Sequence, residues 1–362
     1  AAYGFSRSAT PYEGSPYVMN MFDCQRSSMG IITRDYGPVD GKDTRYGAFT
    51  LYARLKGETF WKSLQNDRVS KMRFEQIVGS TSSVVKKNNQ TLGEYSKTVT
   101  TDDGKIYTFY TNESGKQLSM LYWNGKKWTD AAIDGTDATT PGALRSGVDP
   151  GAIEAFSYGN ELQVFYYDKT TKSLRHAFTR DRRTSWYTET LHGPENSVIK
   201  TSDDVGSAIS GFMYGPGRIQ LYYYNATSKS LVHTWWDGRS WHSETLDGAP
   251  GGIIKGTDDV GSAISGFMYG PGRMQLYYFN KTTGELVHTW WNGRNWSSEK
   301  MDGDHQPKTL FGNYINSGRM IDAGSDGEKI YVFYYDDSTL FPSQNRSSAW
   351  RLGYWDGRRW SN

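Results

Sequence analysis

Hydrophobic and polar residues alternate with a period of two along most of this chain, which is typical of β-strands rather than of helices. The clearest stretch covers residues 206–248, where the candidate strands read GSAISGFMYG, RIQLYYYN, LVHTWW and SWHSETL. Tight turns separate these strands, among them GPG and an Asp-Gly pair that favours hairpins. The pattern predicts four short antiparallel strands in about 50 residues, which is one blade of a β-propeller.

The same pattern recurs over residues 261–303, almost residue for residue. A repeat at this spacing is typical of solenoids and propellers. The sequence therefore predicts one all-β domain over residues 1–362, a six-bladed β-propeller with four antiparallel strands per blade. Residues 1–47 are expected to supply a closing strand and a cap over one mouth. Weaker copies of the pattern complete the six predicted blades at 48–79, 104–135, 152–193 and 317–361.

Composition supports this fold and excludes several functions. Aromatic residues make up 15% of the chain and there are 40 glycines, which suits pleated sheets joined by tight turns. The formal net charge is only +2, so we expect no nucleic-acid partner. No apolar run reaches the roughly 18 residues of a membrane span. The single cysteine, Cys24, can form neither an internal disulfide nor a CxxC metal site.

Several features indicate a secreted glycoprotein of the secretory pathway. The chain starts with Ala-Ala-Tyr-Gly, as a processed protein would. Three glycosylation sequons fall in the turn between the second and third strands of a blade, where a glycan would have room. The alternative is that asparagine simply suits turns. The predicted glycosylation sites are Asn89, Asn112, Asn225, Asn280 and Asn345, and Asn295 also fits the motif.

Familiar catalytic motifs are missing from the sequence. It has no GxSxG elbow, HExxH, P-loop or strand-led GxGxxG, so we expect neither a cofactor nor a metal. His233 and His288 occupy equivalent third-strand positions, with His176 as a third copy. We interpret them as structural residues bonded between blades, with general acid–base catalysis as the alternative. Paired carboxylates of a glycoside hydrolase stay open, because their spacing is spatial. The TDDVG segments are interpreted as turns whose aspartates bond nearby backbone.

The pattern RIQLYYY…LVHTWWDGRSW resembles the fungal fucose-specific lectins, six-bladed propellers with a sugar pocket between each pair of blades. In that family an arginine of the second strand and a glutamate of the third strand bind the sugar. No clear blade here keeps both, which argues against fucose because a buried hydroxyl without partners is costly. The arginine position holds Tyr107, Gln163, Gln220, Gln275 and Tyr331, and the glutamate position holds Met120, His176, His233, His288 and Leu352.

Some secreted fungal proteins similar to these lectins are hetero-Diels–Alderases of tropolonic sesquiterpenoid biosynthesis, which this chain also resembles. The resemblance implies a cofactor-free enzyme that joins a tropolone o-quinone methide to a humulene-type sesquiterpene in fungal meroterpenoid assembly. The alternative is a secreted glycan-binding lectin with non-fucose specificity. A pericyclase should have one apolar pocket with aromatic walls, whereas a lectin should have several equivalent sites.

We place the candidate pocket near the turns of the fourth and fifth blades, with a second possibility at the irregular segment that follows Asp304. The expected partners are apolar small molecules, or glycans in the alternative, and the chain could form a homodimer. The candidate walls are Met213, Tyr214, Trp235, Met268, Tyr269, Trp290 and Tyr314. The candidate donors are His233, His288, Arg218, Arg273, Lys308 and Arg319.

Overall fold

The structure is a computed structural model in which every described element is a β-strand. It describes residues 78, 85–87, 90–101, 103, 105–123, 126–159, 161–179, 185–194, 196–301, 320–335 and 351–360, without the side chains of 86 and 94. For 16–24, 27–36, 46–55, 62–63, 79, 302, 316–319, 336–337, 349–350 and 361 it describes the strand backbone alone. The chain divides into two compact units. One combines Ala1–Phe74 with Gly324–Tyr331 and Tyr354–Ser361, and the other contains Glu75–Ala323, Val332–Gly353 and Asn362.

The first unit contains sheet 1, a four-stranded antiparallel sheet. Its strands are β1 Pro16–Cys24, β2 Ser27–Tyr36, β3 Tyr46–Leu55 and β4 Lys62–Ser63. Residues 1–47, expected to close the ring and cap it, therefore supply two whole strands and the start of a third. The pairing is continuous from Ser27↔Leu55 to Tyr36↔Tyr46, so this segment pairs with the first part of the predicted blade 48–79. A short parallel pair follows, formed by β5 Val78–Gly79 and β6 Val85–Lys86.

The second unit contains sheets 2 to 5, which follow one another along the chain, each with its strands in sequence order. Sheet 2 comprises β7 Leu92–Thr100, β8 Ile106–Asn112, β9 Gln117–Trp123 and β10 Trp128–Gly135. Sheet 3 comprises β11 Pro150–Tyr158, β12 Glu161–Asp168, β13 Ser173–Thr179, β14 Trp186–Gly193 and the short β15 Ile199–Lys200. Sheet 4 comprises β16 Val205–Gly215, β17 Arg218–Asn225, β18 Ser230–Trp236 and β19 Trp241–Asp247. Sheet 5 comprises β20 Val260–Gly270, β21 Arg273–Asn280, β22 Glu285–Trp291 and β23 Trp296–Asp302.

Sheet 6 comprises β24 Asn316–Ser325, β25 Ile330–Asp337, β26 Ala349–Trp355 and β27 Trp360–Ser361. The prediction of an all-β chain built from four-stranded antiparallel sheets is confirmed. The closed six-bladed ring and the single domain stay predictions.

Neighbouring sheets of the second unit pack first strand against first strand, β7 on β11, β11 on β16 and β16 on β20. A hydrophobic cluster fills each space between two sheets, and the cluster between sheets 4 and 5 includes Leu231, Leu246, Met274 and Tyr278. A bulge opposite Leu231 rotates the end of β19, so that Leu246 enters this core. The same bulge presents Asp247 to the next sheet, where its Oδ2 accepts a 2.7 Å hydrogen bond from the hydroxyl of Tyr278.

This junction recurs between the other sheets of the second unit with one informative change. Asp134 accepts from the hydroxyl of Tyr166 at 2.6 Å, and the buried Arg175 also donates to that carboxylate. Between sheets 3 and 4 a histidine replaces the aspartate, and His192 Nδ1 lies 2.5 Å from the hydroxyl of Tyr223. Burial lowers the pKa of His192 to about 4, so the ring is neutral at physiological pH.

The turn asparagines are not the exposed glycan sites that the sequence predicts. Asn225 and Asn280 are each only 6% exposed, and Asn112 is fully buried. The Asn225 amide oxygen accepts from two backbone amides of its own turn, and its Nδ2, the atom that a glycan would modify, donates to Asp203. Asparagine here caps a turn, which was the alternative interpretation. Asn89 and Asn345 lie outside the described residues.

The two aspartates of the first TDDVG-like turn also differ from expectation. Instead of bonding nearby backbone, Asp203 accepts from the Asn225 side chain at 2.7 Å, and Asp204 accepts from the hydroxyl of Tyr167 in the preceding sheet at 2.7 Å. The copy one sheet later does the same, since the hydroxyl of Tyr224 donates to Asp259 at 2.6 Å. These turns therefore connect neighbouring sheets.

Candidate functional site

The third-strand histidine of sheet 4 is the centre of a polar network. His233 Nδ1 lies 2.8 Å from Glu244 Oε1 on β19, and its Nε2 lies 2.7 Å from the side-chain amide of Gln220 on β17. Antiparallel register places the three residues on one face of the sheet. Glu244 pairs directly with His233, and Gln220 lies two residues from Tyr222, which pairs with His233 on the other side. Both partners belong to the same sheet, which corrects the expectation of hydrogen bonds between blades.

Burial decides the protonation state of this histidine. His233 is 6% exposed, and desolvation lowers its pKa although the carboxylate of Glu244 acts in the opposite direction. A neutral imidazole has one donor and one acceptor. Since the carboxylate can only accept, Nδ1 donates to Glu244. Nε2 must then accept, which requires the side-chain amide of Gln220, whose Oε1 is placed 2.7 Å from Nε2, to be rotated so that its NH₂ donates. Both ring nitrogens are thus occupied, so His233 is not free to act as a general acid or base.

Stacked aromatic rings run across the same face of sheet 4. His233 lies between Tyr222 and Trp235, with ring centroids 4.7 Å and 4.8 Å away, and Trp235 in turn stacks on His242 at 5.2 Å. Trp296 of sheet 5 meets His233 edge-on at 5.7 Å. Trp296 thus covers the inner part of this stack, whereas Trp235, packed between His233 and His242, is half-buried and lines the outer part.

A cavity of about 780 Å³ lies over this face, between sheets 4 and 5. We call it the 4–5 cleft. Sheet 4 and its following loop contribute an aromatic and polar wall, whereas sheet 5 contributes a methionine, two tryptophans and the β22–β23 turn. The lining residues are Tyr214, Gln220, His233, Trp235, Glu244, Ile253, Met274, Trp291, Arg294, Asn295 and Trp296.

Two polar groups of the 4–5 cleft are available to a ligand. Glu244 uses Oε1 for His233, and within the described part of the chain its Oε2 has no hydrogen-bond donor. Arg294 is exposed in the turn on the opposite side, and no described side chain pairs with its guanidinium. The cleft thus offers a charged acceptor, a charged donor and the ring of Trp235, a combination that suits a planar ligand with oxygen substituents.

The same network recurs in sheets 3 and 5. His176 lies 2.9 Å from Glu189 and 2.7 Å from Gln163, and His288 lies 2.8 Å from both Glu299 and Gln275. The space between sheets 3 and 4 repeats much of the 4–5 cleft, with smaller side chains at several positions. Its equivalent residues are Gln163, His176, Phe178, Glu189, Val198, Ile219, Trp236, Arg239, Ser240 and Trp241.

Sheet 2 lacks the network. Its equivalent positions hold Tyr107, Met120 and Ala131, and the ring of Tyr107 stacks on Tyr122 at 4.7 Å. The polar network is therefore not required to build a sheet of this kind, which makes its presence in three successive sheets informative about function.

The structure brings together only part of the predicted site. Tyr214, Trp235 and His233 line the 4–5 cleft. Met213 and Met268 instead pack into hydrophobic clusters between sheets, and Arg218 and Arg273 are exposed at strand starts outside the cleft lining. The copies one sheet later follow the same plan, since Trp290 stacks on His288 at 4.8 Å, but these two residues and Tyr269 do not line the 4–5 cleft.

The second possibility lies largely outside the structure. Lys308 and Tyr314 are outside the described residues, and of Arg319 only the strand backbone is described. Their assignment to a site stays a prediction.

Several lining residues escaped the sequence-based prediction. Gln220 was noted only as a substitution for a sugar-binding arginine, and Glu244 sits on β19 in a polar stretch that reads as solvent-facing. Arg294 follows the Asn-Gly pair between β22 and β23, where the sequence predicts only a hairpin turn. The coincidence of Gln, His and Glu in three repeats is the signal that could have found Gln220 and Glu244.

Neither a metal centre nor a membrane span emerges from the described residues. They contain no group of three or more His, Cys, Asp or Glu side chains that could hold a metal ion. Among them, too, no helix is long and apolar enough to cross a membrane.

No protein-family model and no curated protein matches this sequence. Similar solved structures include that of NanB plus Optactamide, at 11% identity and a TM-score of 0.45, covering 89% of this chain and 64% of that one. A Trypanosoma rangeli sialidase gives 9% identity and a TM-score of 0.48, covering 90% of this chain and 52% of that one. The GH43_1 enzyme from Xanthomonas citri gives 11% identity and a TM-score of 0.38, covering 73% and 86%. This chain thus spans less than two thirds of the first two proteins, and likenesses at this level carry no argument about its activity.

Proposed function

We propose that the 4–5 cleft binds an oxygen-bearing planar molecule together with an apolar partner and catalyses a cofactor-free hetero-Diels–Alder reaction. The observation that supports this is the closed polar network under an aromatic wall. Both nitrogens of His233 are occupied, so this residue offers a ligand no free acid, base or nucleophile. The other lining side chains can still contact a ligand and form hydrogen bonds with it. The cleft volume of about 780 Å³ also falls in the range of small-molecule sites.

The reaction requires no proton transfer and no leaving group. The heterodiene of a tropolone o-quinone methide and one double bond of a humulene-type sesquiterpene form one C–C and one C–O bond, while the remaining π electrons shift within the new ring. The substrate names follow from the resemblance stated above. In this proposal the planar ring packs against the exposed part of Trp235, Arg294 donates to its developing oxyanion, and Glu244 Oε2 accepts from a ring hydroxyl. Secretion and the fungal origin of the chain belong to the same proposal.

The test is product formation by the purified protein. We would incubate it with a quinone-methide precursor and humulenol and analyse the adducts by mass spectrometry and chiral chromatography, with a protein-free reaction as the control. The proposal expects faster formation and an excess of one stereoisomer, both reduced in Trp235→Ala. A rate and stereoisomer ratio equal to those without protein would exclude it.

A second candidate function is glycan binding, and one observation favours it. The Gln–His–Glu network with its aromatic neighbours recurs between sheets 3 and 4, and a lectin is expected to repeat its site. On a glycan array a lectin would bind a defined set of sugars, and binding would weaken in both Glu189→Ala and Glu244→Ala. Loss in Glu244→Ala alone, or no binding at all, would favour the single-site proposal.

A further inference from the structure

One apolar side chain at the mouth of the 4–5 cleft is held in the open by the backbone around it. The N–H of Ile253 donates to the carbonyl of Thr245 at 3.2 Å, and the N–H of Ile254 donates to the carbonyl of Leu246 at 2.8 Å. These two bonds hold the loop against the end of β19. The two side chains have different surroundings, since Ile254 packs against the core between sheets 4 and 5 and Ile253 lines the cleft.

Ile253 is unusually exposed for an isoleucine. It is 47% exposed, although isoleucine is among the residues most often buried. The loop after sheet 3 repeats the arrangement: the N–H of Val198 donates to the carbonyl of Thr190 at 3.0 Å, and its side chain is 49% exposed. A branched aliphatic group is thus presented at the same place in two successive sheets.

The lining of the 4–5 cleft contains two chemically different kinds of side chain. Glu244, Arg294 and the indole of Trp235 supply charged and aromatic groups. Ile253 from the loop after sheet 4 and Met274 from sheet 5 supply apolar groups. A ligand that contacts both kinds must carry an apolar substituent next to its planar, oxygen-bearing ring.

We infer that Ile253 determines specificity for the apolar portion of whatever occupies the 4–5 cleft. The inference rests on the cleft of the proposed function, but not on the reaction. In a bimolecular reaction this portion is the hydrocarbon partner, and in a binding protein it is an alkyl or aryl substituent.

The test uses two pairs of probes that differ by one isopropyl group. The first pair is tropolone and 4-isopropyltropolone, and the second is phenyl β-D-glucoside and 4-isopropylphenyl β-D-glucoside. Dissociation constants are measured by isothermal titration calorimetry for the full chain and for Ile253→Ser, Ile253→Val and Met320→Ser. Met320 is 60% exposed and does not line the 4–5 cleft, so its variant controls for the loss of an exposed apolar side chain.

The isopropyl group should tighten binding about sevenfold, if roughly half of its three carbons' surface is covered. Ile253→Ser should reduce this gain to about twofold or less, while Ile253→Val and Met320→Ser should retain most of it. Overturning results are an isopropyl gain that survives Ile253→Ser, no gain in either pair, or no binding of any probe. If only the glucosides bind and their gain depends on Ile253, the inference stands while the proposed reaction fails. If the tropolones bind without such a gain, the reverse holds.

Discussion

Replacing both Gln220 and His233, the two buried members of the network, should destabilise the protein less than replacing either one alone. Gln220 and His233 are 7% and 6% exposed and are bonded to each other at 2.7 Å. In Gln220→Leu the ring nitrogen of His233 loses its donor, and in His233→Met the amide of Gln220 loses its acceptor. Each variant leaves one buried polar group without a hydrogen-bond partner, which lowers the free energy of unfolding by about 1–3 kcal/mol. His233→Met also loses ring stacking worth about 1 kcal/mol.

The double variant Gln220→Leu/His233→Met removes both groups and so leaves neither unsatisfied. Glu244, which loses His233, remains in contact with solvent. Sheet 2 already has an apolar arrangement at these positions, with Tyr107 and Met120. We therefore expect the single variants to lower the free energy of unfolding by about 2 and 3 kcal/mol, and the double variant by only about 1 kcal/mol.

Urea titrations followed by tryptophan fluorescence and by far-ultraviolet circular dichroism would measure these values, with coincident transitions as the criterion for a single step. The same pair of changes at Gln163 and His176 provides an independent replicate. A double variant whose loss equals the sum of the single losses, within about 0.5 kcal/mol, would refute the reasoning. It would mean that the two side chains do not satisfy each other.

Three further predictions concern charge. Burial lowers the pKa of His192 from 6.5 to about 4, so its stabilising contribution is complete above pH 6.5 and is lost as the pH falls towards 4. Calorimetric melting should show that the protein loses up to about 3 kcal/mol of stability over that window. The loss should be absent in His192→Asn, whose side chain can still accept from Tyr223. Arg175→Val introduces the valine found at this position in the next sheet but leaves the buried Asp134 without its cation. Urea unfolding should show a decrease of about 3 kcal/mol in the free energy of unfolding, which Asp134→Asn in the same chain should partly restore. Equal decreases in the single and double variants would contradict this. Arg294→Gln should lower kcat for adduct formation about tenfold with little change in KM, since its donor acts on charge that develops in the transition state; an effect confined to KM would argue for binding alone.

The repeated segments show how far sequence alone can lead. The predicted blades 206–248 and 261–303 differ by one residue at each end from sheets 4 and 5, since alternating apolar residues and recognisable turns, among them GPG and Asp-Gly or Asn-Gly, delimit their strands. In sheet 2 the predicted start at 104 misses β7, because LGEYSKTVT carries too few apolar residues to be distinguished from a loop. The strand is nevertheless formed, because its backbone pairs with β8 and it packs on β11.

The candidate site was harder to predict because its chemistry depends on register. Trp235 and Trp236 are consecutive residues of β18 and therefore lie on opposite faces, Trp235 in the cleft and Trp236 in the core between sheets 3 and 4. The partnership of His233 with Glu244 depends on which residues of β18 and β19 face each other, and a bulge alters that register at Leu231. The outward position of Ile253 depends on two backbone hydrogen bonds of a loop, for which the sequence has no pattern.

The central claim is that the 4–5 cleft is the ligand site, and a crystal structure of the protein soaked with 4-isopropyltropolone tests it most directly. We predict the tropolone ring in contact with Trp235 at about 3.5–4 Å, with its oxygens towards Glu244 and Arg294 and its isopropyl group against Ile253. Density for the ligand in another part of the molecule, with the 4–5 cleft occupied only by water, would contradict it.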